Sequence, residues 1–273
     1  MELEKKIKNI IILKKAILKN IIDAAYFAGA SSAHIGGALS AVDIVSTLFS
    51  EFIKINPENI KKIDRDYFIL SKGHACLVYY AALVEMGFFS KNELKSFEKT
   101  DSFLLGHPVL DKKHGIDFST GSLGMGLSIG VGLALSLKKR KVNNKIYVLV
   151  GDGECNEGSI WESVMSASHF KLDNLTIIVD KNNLQQTGKN SEIMNLGNLE
   201  SKLSSFGCET YSVNGHNIKE LFDIFSTKNT LDKTKAIVAN TIKGKGLSFA
   251  ENNNKFHHTV LTKALYEQGL KEI

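Results

Sequence analysis

Two short signals, Gly151-Asp152-Gly153 and Asn182-Asn183, each close a run of apolar, partly β-branched residues, and together they fix the topology around them. The runs at 146–150 and 175–179 are too short for helices and lack the alternation of a half-solvated strand, so both read as strands buried on two faces. Residues 157–170 between them have the length of a crossover helix, which makes the unit β-α-β. Neighbouring parallel strands that end side by side bring Asp152 and Asn182 together, and two side-chain oxygens suit a hard cation. The glycines flanking Asp152 let the backbone come close to a ligand, and the helix behind them turns its amide end toward an anion. A magnesium-bridged diphosphate fits such a site.

The same alternation runs along the chain. Helical patterns at 5–28, 41–53, 74–86, 91–98, 126–140, 157–170, 198–206 and 217–227 are interleaved with strand-like runs at 67–70, 146–150, 175–180, 209–213 and 236–240. This predicts an α/β fold with a doubly wound, mostly parallel sheet. No repeat or Pro/Gly/Ser linker divides the sequence, so a single domain over residues 1–273 is expected. In the opening helix, Ile7, Ile10, Ile11, Ala16, Ile17, Ile21 and Ile22 are expected to form the apolar face.

Composition narrows the function classes. The formal charge of +5 comes from scattered lysines rather than a basic block interleaved with aromatics, which argues against nucleic acid. No apolar run is long enough to span a membrane or serve as a signal peptide. Cys76, Cys155 and Cys208 are far apart and never spaced as C-x-x-C, so neither a disulfide framework nor a zinc site is expected, and a reducing, cytoplasmic setting is.

Further motifs fall after predicted strands or before helices, where ligands of such sheets bind. His74, in Ser71-Lys72-Gly73-His74-Ala75, either donates to an anion at a helix start or merely caps the helix. Gly106-His107-Pro108 and His34 lie in loops, where a solvated histidine is the plain alternative. Gly121-Ser122-Leu123-Gly124-Met125-Gly126 opens a small-residue helix and lacks dinucleotide spacing, and no P-loop is present. Lys243-Gly244-Lys245-Gly246 puts cations at one more strand end, or forms a surface turn.

In order and context these motifs resemble the transketolase family. The likeness is carried by Ser71-Lys-Gly-His-Ala75, Gly106-His-Pro108, Thr120-Gly-Ser-Leu-Gly124, Gly151-Asp-Gly153, Glu157-Gly158, Lys171-Leu-Asp-Asn-Leu175, Asp180-Lys-Asn-Asn183 and Thr241-Ile-Lys-Gly-Lys-Gly246. It runs from about residue 5 to 258. The resemblance implies a thiamine-diphosphate enzyme that moves a two-carbon ketol unit from a ketose phosphate to an aldose phosphate. By it, Asp152, Asn182 and the backbone carbonyl of Leu184 hold Mg2+, with Ca2+ or Mn2+ able to serve. Gly153, His74 and Lys243 contact the diphosphate, and Gly121, Ser122 and Leu123 line the cofactor ring. His34, His107 and His257 face the substrate end, with His257 also reaching the cofactor. His257 follows Phe256 where the family has Trp-His, and His258 stands where Gly is usual. Glu157 matches a family carboxylate that either pairs structurally or relays protons, and Cys155 is expected to be structural.

The family's pyrimidine-binding and C-terminal domains have no counterpart in this sequence. The resemblance therefore implies the N-terminal subunit of a split transketolase, working with a separate C-terminal subunit, two of each. The α subunit of a 2-oxo-acid dehydrogenase, a deoxyxylulose-phosphate synthase and a non-catalytic binding module are the competing readings.

Overall fold

The computed structural model describes residues 2–63 and 65–273. Five strands, β1 (Tyr67–Leu70), β2 (Ile146–Gly151), β3 (Leu175–Lys181), β4 (Glu209–Asn214) and β5 (Lys235–Asn240), form one sheet in the order β1-β2-β3-β5-β4. Every pairing is parallel, so all five carboxyl ends lie along one edge. The helices are α1 (Glu2–Ala28), α2 (Gly36–Ser40), α3 (Val42–Glu51), α4 (Cys76–Glu85), α5 (Lys91–Leu94), α6 (Met125–Lys139), α7 (Gly158–His169), α8 (Asn190–Ile193), α9 (Leu199–Ser205), α10 (Ile218–Ser226) and α11 (Lys263–Glu272).

Alternate strand residues serve opposite faces, and both faces are covered. Phe68, Leu70, Tyr147, Leu149, Ile178 and Ile237 join a core with α1, α3, α4 and α10, while Ile69, Val148, Val150, Ile177, Val179 and Val238 join a second with α6 and α7. That two-sided burial is why the strands read as continuous apolar runs. The small residues of α6 allow close packing: a Cβ on Gly130 would lie 2.5 Å from Val148 Cγ2.

The strand boundaries agree with the sequence reading to within a residue, and three differences elsewhere have local causes. The helix expected over 91–98 stops after Leu94, because Glu98 turns into left-handed backbone at φ 58° and its N–H pairs with the Leu104 carbonyl. α11 lies beyond the predicted elements; only Gly269 in it is buried, and Tyr266 holds it by stacking on Tyr26 at 4.3 Å and bonding Asp23. In α1, Ile10, Ile17, Ile21 and Ile22 are buried as expected, but Ile11 is 41% exposed, off the stripe that faces the core.

Candidate active site at the carboxyl edge of the sheet

The register that pairs Gly151 with Asp180 brings the loop after β2 against the loop after β3. Asp152 N–H donates to the Asp180 carbonyl at 3.1 Å, and Asp152 Oδ2 accepts from Asn183 N–H at 2.6 Å. Asn183 takes left-handed backbone, φ 62°, as the chain turns back. Asp152, Asn182 and Leu184 thereby line one cavity of about 350 Å3. Asp152 is buried, and among the described residues it forms no salt bridge. Burial, followed by the neighbouring Asp180, raises its carboxyl to about 6. A buried carboxylate, an amide oxygen and a peptide carbonyl form a hard, all-oxygen donor set suited to a divalent cation.

Cationic and imidazole groups occupy the rest of the lining: Lys72, His74, Lys243, His34, His107 and His257. Lys243 is not part of a surface turn. It is 2% exposed, donates to the Gln185 carbonyl at 3.0 Å and to Asn254 Oδ1 at 3.1 Å, and burial lowers its ammonium to about 8. Its Nζ lies 3.0 Å from His257 Nδ1, so the ammonium makes Nδ1 the acceptor and leaves the ring proton on Nε2. Gly121 and Leu123 also line the cavity, as does Gly153, whereas exposed Ser122 is not among the lining residues.

The histidines converge on His34. Its ring centroid lies 4.3 Å from His258, 5.3 Å from His257, 5.6 Å from His74 and 5.8 Å from His107. Burial above all, then the charges of its neighbours, lowers His34 to about 3 and His257 to about 4, and pushes His74 well below the usual imidazole range. At neutral pH these three rings are uncharged, and each offers one donor and one acceptor.

Several supports were not singled out in the sequence. Lys72 is buried in an ion pair with Asp180, which also accepts from Ser40 Oγ and Thr241 Oγ1. Glu154 accepts from Ser71 Oγ, Gly124 N–H and Gly151 N–H, pinning three site loops together. Gly73 lets the 120–121 segment pass: a Cβ there would meet Gly121 N at 2.7 Å. His216 Nε2 accepts from Ile242 N–H at 2.8 Å, which leaves Nδ1–H to donate to Asp43, itself paired with Lys14. The signal for Lys72 and Asp180 was position: each charge lies at the end of an apolar buried strand, where only a partner makes it tolerable. His216, in a polar loop, carried no comparable signal. Cys155 is buried, and its thiol is pushed up by burial, in keeping with a structural role. Glu157 lines the cavity.

Residues 15–271 match the family described as transketolase, thiamine diphosphate binding domain. The chain belongs to the transketolase family. It is 39% identical to one subunit of the apulose-4-phosphate transketolase of Actinobacillus succinogenes, over all of this chain and 96% of that protein. It is 38% identical to a 6-deoxy-6-sulfo-D-fructose transketolase subunit of a Clostridium species, over 88% of each. Human transketolase is 36% identical over 89% of this chain, which spans 39% of the human protein. The solved transketolase of Leishmania mexicana superposes with a TM-score of 0.89 at 27% identity, covering 96% of this chain and 41% of that one. The chain is thus an N-terminal transketolase subunit, and the family match decides among the thiamine-diphosphate enzymes that the motifs left open. Among the described residues, no helix is long and apolar enough to cross a membrane.

Proposed function

We propose that this chain is one diphosphate-binding domain that works with a separate pyrimidine-binding subunit, two of each, and carries a two-carbon ketol unit from a ketose phosphate to an aldose phosphate. The observation that carries the reading is Asp152, a buried carboxylate without a salt bridge among the described residues, sharing a cavity with Asn182, Leu184, His74 and Lys243. Asp152, the Asn182 amide and the Leu184 carbonyl would hold Mg2+, with Ca2+ or Mn2+ as substitutes. His74, Gly153 and Lys243 would face the diphosphate, and Gly121 with Leu123 the ring region. Thiamine diphosphate, when bound, supplies a nucleophilic carbon and an electron sink.

The protein's own contribution is positioning and proton handling. Uncharged His34, with His107 and His257, donates to substrate hydroxyls and stabilises negative charge that develops on an oxygen nearby. His257 presents its Nε2–H because Lys243 occupies Nδ1. Relatives matched over nearly their whole length are transketolase subunits named for a phosphorylated or a sulfonated sugar. A sugar with an anionic terminus is therefore the substrate class, and pentose-phosphate metabolism the default setting. Three buried free thiols fit a reducing, cytoplasmic compartment.

The test combines this chain with its candidate partner. Calorimetry of thiamine diphosphate, with Mg2+ and with chelator, is followed by product analysis with ketose and aldose phosphates. Magnesium-dependent binding and ketol transfer only in the mixture are expected. Release of carbon dioxide from pyruvate without ketol transfer would overturn the proposal.

A further inference from the structure

Ser32 carries a backbone conformation, φ 61° and ψ 179°, that residues with a side chain rarely adopt. A strained residue persists only where its surroundings hold it, and here the holding contacts lead to one side chain. The flanking Ala33 exchanges both backbone hydrogen bonds with Thr259, at 2.9 and 3.0 Å, and Ser32 N–H donates to the Gly29 carbonyl at 3.2 Å. Ser32 Oγ donates its proton to the Ser31 carbonyl at 2.6 Å. With that proton committed, the hydroxyl is left as an acceptor for His258, whose Nε2 lies at 2.9 Å and Nδ1 at 3.3 Å. The anchored His258 ring lies against His34, 4.3 Å between centroids and tilted 44°, nearer than His257, His74 or His107.

We propose that His258 is a positioning residue for the substrate end: bonded to Ser32 and laid against His34, it fixes the backbone turn and the imidazole plane of the ring on which the other site histidines converge. His258 is exposed whereas His34 is half-buried, and the His258 ring packs against the His34 ring. After burial, His258 is the first of the neighbours that lower His34, ahead of His257, His107 and Lys243, with His74 also facing the ring. The assignment rests on the reading of His34 as a substrate-end group.

The experiment uses the full chain without cofactor or partner, with isotope-labelled histidine followed by NMR across a pH series, in the unsubstituted protein, His258→Gly and Ser32→Ala. The unsubstituted protein is expected to give one sharp His34 ring signal that stays neutral to well below pH 6. In His258→Gly that signal should broaden or divide, and its midpoint should rise by about one pH unit or more as the ring gains water and loses a like charge. Ser32→Ala, which deletes the anchor and keeps the ring, should reproduce the broadening and serves if His258→Gly does not fold. An unchanged His34 signal and midpoint in either folded variant would overturn the proposal. Calorimetry of thiamine diphosphate on the same proteins mixed with the candidate partner separates the two readings: absent binding there sinks the cofactor site and leaves the His258 result standing.

Discussion

Lys72 Nζ lies 2.5 Å from Asp180 Oδ2, with the two side chains 1% and 0% exposed, and Lys72 lines the same cavity as Asp152 and His74. Removing either partner strands a charge in the interior. Lys72→Met and Asp180→Asn are each expected to destabilise the protein by about 3–5 kcal/mol, and the double replacement by less than the sum. Urea unfolding followed by circular dichroism checks this, and additivity of the two losses would argue against direct coupling.

Asp152→Asn separates binding from folding. The substitution keeps the shape and removes a buried charge that has no salt bridge among the described residues, which offsets the loss of one of the two backbone N–H bonds from Gly153 and Asn183, so the melting temperature of the ligand-free protein should change little. Magnesium-dependent uptake of thiamine diphosphate should be lost. Thermal melts and calorimetric titration measure the two effects, and a large drop in melting temperature would assign Asp152 a structural role.

Acid should weaken the fold through the histidines. With His34 at about 3 and His257 at about 4 in the native state, against 6.5 unfolded, the unfolded chain binds more protons between those values. Their depressed values mean that stability is intact above about 6.5 and falls as the pH drops from there toward about 4. His34→Gln should flatten this decline. Urea midpoints at neutral pH and near pH 5 are the measurement, and equal slopes in both proteins would contradict it.

The His216 relay gives another test. His216→Ala leaves Ile242 N–H without an acceptor one residue before Lys243, with an expected loss of about 1–3 kcal/mol of stability. Thiamine diphosphate should bind more weakly as Lys243 shifts. Unchanged affinity in a folded variant would confine His216 to a structural task.

The strands were legible because burial on both faces leaves an unbroken apolar run, and the ends of β2 and β3 gave Asp152 and Asn182 directly. What escaped depended on contacts between distant segments. α11 has few buried residues to mark its period, and Glu98 ends its helix through a backbone reversal that Glu does not favour. Glu154 and His216 are polar residues with partners far away in sequence, Ser71 and Asp43 among them, so their roles emerge only once the loops meet. Ser122 and Leu123 adjoin in sequence, yet only Leu123 is among the lining residues of the cavity, a difference that adjacency in sequence does not reveal.

On the proposed function, the uncharged state of His34 and His257 has a consequence for recognition. Rings that carry no charge bind hydroxyls by direction rather than by attraction at a distance, so their contribution is little screened by salt. A sugar bound as proposed would then have its hydroxyl pattern and its anionic terminus read by separate means, one insensitive to ionic strength and one sensitive to it. On that proposal, exchange of one anionic terminus for another would leave the imidazoles at the reacting end undisturbed.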